Sequence, residues 1–160
     1  KQRKRNNYIE FLEQFKPEKS FDTWLSNIKT IDQKVFEKLY DSSFVDTMLF
    51  LFNKYYDDNS DGIIKCFNEK EKVFYIYNND IWSKMDDEQY KVLFKTIYNC
   101  LIDYFKKWEI CCFDSGSDKV MMTYLEVNQK IYTDINLLSD KFKTKLYNDL
   151  KISFRNHYND

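Results

Sequence analysis

The string Asp57-Asp58-Asn59-Ser60-Asp61-Gly62-Ile63-Ile64 has the oxygen-bearing side chains and the glycine with which a calcium-binding loop begins. Counted from Asp57, oxygen side chains fall at positions 1, 3 and 5, and Gly62 falls at position 6. Position 12 is Asn68, where a calcium loop uses a glutamate that supplies two ligands. We interpret the string as a turn from a helix into a strand and keep a weak calcium site as the alternative.

The sequence lacks the combinations of residues that catalysis usually requires. His157 is the only histidine, and no serine stands in a nucleophile elbow. Gly62 and Gly116 are the only glycines, and two isolated glycines cannot build a phosphate cradle. We therefore expect these residues to have no enzymatic activity, no bound cofactor and no metal site.

The cysteine pattern favours free thiols. Cys66, Cys100, Cys111 and Cys112 are irregularly placed, and none of them forms the two-residue spacing of a zinc site. Adjacent cysteines also do not pair easily with each other. We expect reduced, mostly buried thiols and hence a cytoplasmic location.

Positive charge is concentrated at the beginning of the chain, in Lys1, Arg3, Lys4 and Arg5. The formal net charge of the whole chain is −1, so the remainder is acidic. A globally basic surface for nucleic acid is therefore not expected. We interpret residues 1–6 as a basic arm or linker, with contact to nucleic-acid phosphates as the alternative.

Length and composition predict one globular domain over residues 7–156. The chain has 160 residues, of which 43% are hydrophobic and 19% aromatic, and disordered chains lack aromatic residues at this density. No apolar run approaches the roughly 18 residues that a membrane span needs, and no signal peptide follows the basic start. Because the first residue is Lys1 and not methionine, we expect a part of a longer protein.

Apolar residues at spacings of three and four predict helices along most of the chain. Short helices are expected before residue 41, and a central helix is expected from Ser43. Asp86 and Gln89 have the spacing of a capping box and predict the start of a long helix. Two further helices follow the break at residues 114–117. The sequence contains no alanine, so these helices depend on packing more than on intrinsic propensity.

Residues 63–83 change to the pattern of β-strands. The runs 63–67 and 72–77 are β-branched and aromatic, and Asn78-Asn79-Asp80 is a turn signal before Ile81. They predict an antiparallel hairpin or a three-stranded meander that must lean on helices, because a sheet this small is not stable alone. The expected fold class is mainly α (α+β).

One aromatic set could form a binding surface. On alternating strand positions, Phe74 and Ile76 share one face of the sheet, and Tyr75 and Tyr77 share the other. If helices cover only the first face, the tyrosines and the nearby Trp82 are exposed and can anchor a protein partner or stack on nucleic-acid bases. The alternative is that both faces of the sheet are buried.

The string from Ile64 to Trp82 resembles a module in the C-terminal halves of proteins of large nucleo-cytoplasmic DNA viruses. Its pattern is a strand that ends in cysteine, with Asn or Asp two residues later, a lysine-rich turn, an aromatic strand, an Asn/Asp turn and a tryptophan, and then a long helix. In viral proteins of the MSV199 and GIY-YIG types this module often follows an N-terminal domain and a coiled coil. The resemblance covers about residues 44–132 and implies a non-catalytic accessory region in a viral protein, in the cytoplasm of the host cell.

These observations favour a non-enzymatic module that binds another protein or itself for scaffolding or oligomerisation. The surface would lie near Tyr75, Tyr77 and Trp82. The alternative is a nucleic-acid-binding module in which residues 1–5 contact phosphates and the tyrosines stack on bases. No membrane contact is expected.

Overall fold

Helices surround a small antiparallel sheet in this computed structural model, which describes residues 7–56 and 62–155. The fold class predicted from the sequence, mainly α (α+β), is confirmed. The elements in chain order are α1 (Asn7–Leu12), α2 (Phe21–Ser26), α3 (Gln33–Phe36), α4 (Lys38–Asp41), α5 (Phe44–Tyr55), β1 (Ile64–Cys66), β2 (Phe74–Asn78), β3 (Ile81–Lys84), α6 (Asp87–Asp114), α7 (Asp118–Ile131) and α8 (Ile135–Leu150).

The three strands form a meander in the order β1-β2-β3. Ile64 lies opposite Ile76 between the first two strands, and Tyr77 lies opposite Trp82 between the last two. The predicted turn at residues 78–80 connects β2 to β3, with φ of 52° at Asn79 and 67° at Asp80. Asn and Asp tolerate positive φ better than other side chains, which explains why a two-residue hairpin forms here.

The long helix α6 begins at the predicted capping box. The Asp86 side chain accepts a hydrogen bond from the Gln89 backbone N–H, and the Gln89 side chain accepts one from the Asp86 N–H. The helix has 28 residues and is therefore roughly 42 Å long. Gly116 then takes a φ of 63° that non-glycine residues avoid, and α7 starts two residues later.

A single hydrophobic cluster joins the helices and the sheet. Aromatic rings supply much of its volume, as expected for a chain without alanine. Its largest fully buried aromatic side chains are Phe21, Phe36, Phe52, Phe67 and Phe142.

The segment after α8 adds a short bridge to the sheet, which the sequence did not predict. Ile152 pairs in parallel with Phe67, its N–H donates to the Cys66 carbonyl at 3.1 Å, and its carbonyl accepts from the Asn68 N–H at 2.9 Å. The Glu69 carboxylate accepts hydrogen bonds from the backbone N–H groups of Phe154 and Arg155. Residues 152–155 therefore cover the outer edge of β1.

The Tyr147 hydroxyl ties α8 to the same edge, because it donates to the Phe67 carbonyl at 2.8 Å in a buried position. We expect Tyr147→Phe to lower the free energy of unfolding by about 1–2 kcal/mol, since a buried carbonyl loses its side-chain donor. Urea denaturation followed by circular dichroism measures this change. The matched control is Tyr132→Phe, because the Tyr132 side chain is 80% exposed. We expect the loss of its hydroxyl to lower the free energy of unfolding by less than about 0.5 kcal/mol. Equal effects of the two variants would contradict this role of Tyr147.

Candidate functional site

The three aromatic residues proposed as a binding surface are buried. Tyr75, Tyr77 and Trp82 have exposed fractions of 7%, 8% and 6%. The hypothesis that they form an exposed surface is therefore wrong, both for protein contact and for stacking on bases. The alternation predicted for β2 is present, but both faces of the sheet are covered.

Each face of β2 is covered by rings from a different part of the chain. On one face, Tyr75 stacks on Tyr8 of α1 with ring centroids 6.0 Å apart, and Phe67 lies 5.8 Å from Tyr75. On the other face, Phe74 meets the ring of Tyr147 of α8 edge to face at 6.4 Å. The first cover was not predicted, because the contact between α1 and β2 spans more than sixty residues of sequence.

Trp82 holds the segment after α1 against the sheet. Its Nε1–H donates to the Phe15 carbonyl at 2.9 Å, and its ring lies 5.5 Å from that of Tyr77. A cleft of about 330 Å³ remains beside it, and the exposed side chain of Ile81 lines this cleft. The indole therefore has a structural partner within the chain.

Several residues considered for chemistry lie outside the described part of the chain. They are His157, Asp57 to Asp61 of the calcium-like string, and the basic residues Lys1, Arg3, Lys4 and Arg5. Within residues 7–56 and 62–155, no group of three or more His, Cys, Asp or Glu is placed to hold a metal ion. Over the same residues, none of the helices is both long and apolar enough for a membrane span.

The described thiols differ sharply in their surroundings. Cys66, Cys100 and Cys112 are buried, and Cys111 is exposed. Burial raises the pKa of the Cys66 thiol to about 12, and it also raises the pKa values of Cys100 and Cys112. The buried thiols stay protonated at neutral pH and are poor nucleophiles.

We expect one of the four cysteines to react fast with a thiol reagent in the folded protein. Cys111 is the reactive one, because the other three combine burial with raised pKa values. Absorbance with a disulfide reagent at about pH 7.5, before and after denaturation, counts the accessible thiols. Cys111→Ser serves as the control and removes the fast phase. Two or more fast-reacting thiols in the folded wild type would contradict the burial of Cys66, Cys100 and Cys112.

Several of the most exposed apolar side chains lie on α6 and α7. Ile110 and Phe113 belong to α6, Met122 and Leu125 belong to α7, and Tyr132 caps the end of α7. Their exposed fractions are 62%, 59%, 65%, 55% and 80%. We call these five residues the α6–α7 face.

Helix geometry explains why α7 carries apolar residues on two sides. Tyr124, Val127 and Ile131 lie on one side of the helix, and all three are buried. Met122, Leu125 and Tyr132 fall between these positions, about 100° or more around the helix from the middle of the buried side. This second spacing was present in the sequence and is the signal that could have identified the face.

Two contacts of α7 fix the position of the face. The Lys130 ammonium donates to the backbone carbonyls of Leu39, Tyr40 and Ser42 at the end of α4. On the side toward α6, the Tyr124 ring lies 6.0 Å from that of Phe105 and 4.9 Å from that of Phe113. The α6–α7 face therefore lies on two helices that are packed against the core.

A groove of about 520 Å³ runs between α6 and the end of α7, next to the face. The Tyr124 hydroxyl donates to the Glu109 carboxylate in its wall, and this hydrogen bond is the main cause that raises the pKa of Tyr124 to about 12. The groove is mostly apolar with a few polar groups. Its lining residues are Tyr98, Ile102, Phe105, Lys106, Glu109, Ile131, Tyr132 and Thr133.

No family model, curated protein or solved structure matches the chain. A function for the chain is therefore inferred from its geometry. The described residues offer an apolar face with a groove beside it. Such an arrangement is suited to holding another macromolecule.

Proposed function

We propose that this chain is a non-enzymatic protein-interaction module that binds its partner through the α6–α7 face. The observation that carries the proposal is the exposure of these five apolar side chains, each of which is more than half accessible to solvent. Phe113 and Tyr132 alone expose roughly 250 Å² at the usual area of an aromatic side chain, and Ile110, Met122 and Leu125 on the same two helices are also more than half exposed. A typical monomer exposes no apolar patch larger than about 300–600 Å², and larger ones mark interaction sites.

The polar neighbours of the face support binding to a protein. Lys106 and Glu109 lie in the groove wall beside the apolar residues, which is the usual arrangement of an apolar centre with a polar rim. Tyr132 combines a broad apolar ring with a hydroxyl, and tyrosine is among the residues that dominate binding energy at protein interfaces. An amphipathic helix of a partner could lie along the groove between α6 and α7.

The cleft beside Trp82 is the competing surface on this chain, because it is the part of the predicted aromatic region that stays accessible. Ile81 is 64% exposed there, and Ile110 is 62% exposed on the α6–α7 face. The two isoleucines therefore form a matched pair for testing which surface binds.

We expect a photo-crosslinking amino acid in place of Leu125 to give a discrete protein adduct in cells that express the chain. Ile110→Glu should reduce this adduct by about tenfold or more, since the interface would bury an unpaired charge. Ile81→Glu should leave it unchanged. Both substitutions lie at exposed positions, so the free energy of unfolding should change by less than about 0.5 kcal/mol in each. Denaturing gels and mass spectrometry identify the adducts.

Two results would contradict the proposal. A Leu125 adduct lost with Ile81→Glu and kept with Ile110→Glu would place binding at the cleft beside Trp82. No protein adduct at Leu125, together with none from a crosslinker in place of Tyr132, would remove the α6–α7 face as a binding surface.

A further inference from the structure

We infer that the partner of the α6–α7 face is a second copy of this chain, bound with the two α6 helices antiparallel. This inference rests on the proposed function and names its partner. It starts from the order of residues along one side of α6, where Ile102, Lys106, Glu109 and Phe113 follow at spacings of four, three and four. Positions at these spacings lie on one side of a helix.

The order along this side of α6 is self-complementary. A twofold axis between residues 107 and 108 places Lys106 opposite Glu109 of the second copy, and it places Ile102 opposite Phe113. The same axis repeats both pairs, so two copies form two salt bridges between two apolar pairs. In the antiparallel orientation, each charge of this surface meets its opposite on the second copy.

The Lys106 and Glu109 side chains are placed for such pairs. The salt bridges within the described residues join Lys54 to Asp32 and Lys145 to Asp46, so neither Lys106 nor Glu109 takes part in one. The hydrogen bond from the Tyr124 hydroxyl to Oε2 holds the Glu109 carboxylate at the groove wall, where Oε1 is the second acceptor. Lys106 is exposed beside it.

The area and the architecture also fit a second copy. A stable interface buries about 800 Å² on each partner. The apolar side chains that such an interface would bury are Ile110, Phe113, Met122, Leu125 and Tyr132, each of which is more than half exposed. Two helix pairs packed face to face form a four-helix bundle with closed twofold symmetry, which covers both faces at once and leaves no open surface for further copies.

Exchange of the two charges tests this arrangement. Lys106→Glu puts a glutamate opposite Glu109, and Glu109→Lys puts a lysine opposite Lys106, so each variant repels itself. Sedimentation equilibrium should show a dimer for the wild type and about tenfold or more weaker self-association for each variant. In a mixture of the two variants, the introduced glutamate of one chain faces the introduced lysine of the other, and the unchanged Glu109 and Lys106 also face each other. Mixing should therefore restore association to within about threefold of the wild type.

Cys111 provides the label for the mixing experiment. It lies two residues from both Glu109 and Phe113, so it points away from the proposed interface. Energy transfer between donor-labelled Lys106→Glu and acceptor-labelled Glu109→Lys should appear on mixing. It should stay absent when donor and acceptor are on the same variant. Tyr124→Phe controls for the loss of the hydrogen bond to Glu109 and should leave the dimer intact.

Each remaining result overturns the inference. A wild type that is monomeric at several hundred micromolar overturns the inference. The proposed function is tested separately, because mass spectrometry of the Leu125 adduct identifies which protein is crosslinked. A dimer that both charge variants leave unchanged lies on another surface. If Glu109→Lys fails to fold, Ile110→Glu replaces it at an exposed position, and an unchanged dimer in that variant overturns the inference as well.

Discussion

The rings packed on the three-stranded sheet are the contacts on which the rest of the structure depends. A sheet with strands of three to five residues has too little surface of its own to be stable. Tyr8 from α1 covers one face, and Tyr147 from α8 covers the other. Because these helices lie near the two ends of the described chain, the sheet joins segments that are far apart in sequence.

The long helix α6 connects the core beside the sheet to the proposed interface. Its first half packs in the core through Leu93, Phe94 and Ile97, which are all buried. Its last half extends to the edge of the core, where Trp108 packs against Phe36 with ring centroids 5.0 Å apart. The Tyr124 ring of α7 packs beside the final turns of α6, 4.9 Å from the ring of Phe113. The helix is roughly 42 Å long, and Ile110 and Phe113 are exposed in its last turns while Cys112 between them is buried.

Local patterns in the sequence predicted the elements, and long-range contacts determined the features that these patterns could not predict. The capping box at Asp86 and the turn at Asn79 are set by neighbouring residues, so the start of α6 and the β2–β3 hairpin were predicted correctly. The burial of Tyr75 depends on Tyr8, and the bridge at Ile152 depends on residues some eighty positions away. Alternation on a strand tells which side chains share a face, but it does not tell which face another segment will cover.

The same limit explains why the candidate surface moved from the sheet to the helices. Aromatic residues at strand spacing left open whether the tyrosine face is exposed or covered, because the sequence does not show which segments pack on it. The stripe of Met122, Leu125 and Tyr132 was overlooked because a helix needs only one apolar side to pack, and Tyr124, Val127 and Ile131 already supplied it. When two apolar sides occur on one helix, the core buries only one of them. The second side is then the informative one for function.

Apolar area alone cannot choose an orientation for a partner, because the hydrophobic effect has no direction. The charged residues in the wall of the groove make that choice for two copies of the chain. In a parallel pair of α6 helices, Lys106 would meet Lys106 and Glu109 would meet Glu109, and like charges at contact distance are unfavourable. In the antiparallel pair each charge meets its opposite, while Ile102 and Phe113 pack against each other at both ends of the contact. The apolar residues thus account for association, and the order lysine then glutamate accounts for its direction.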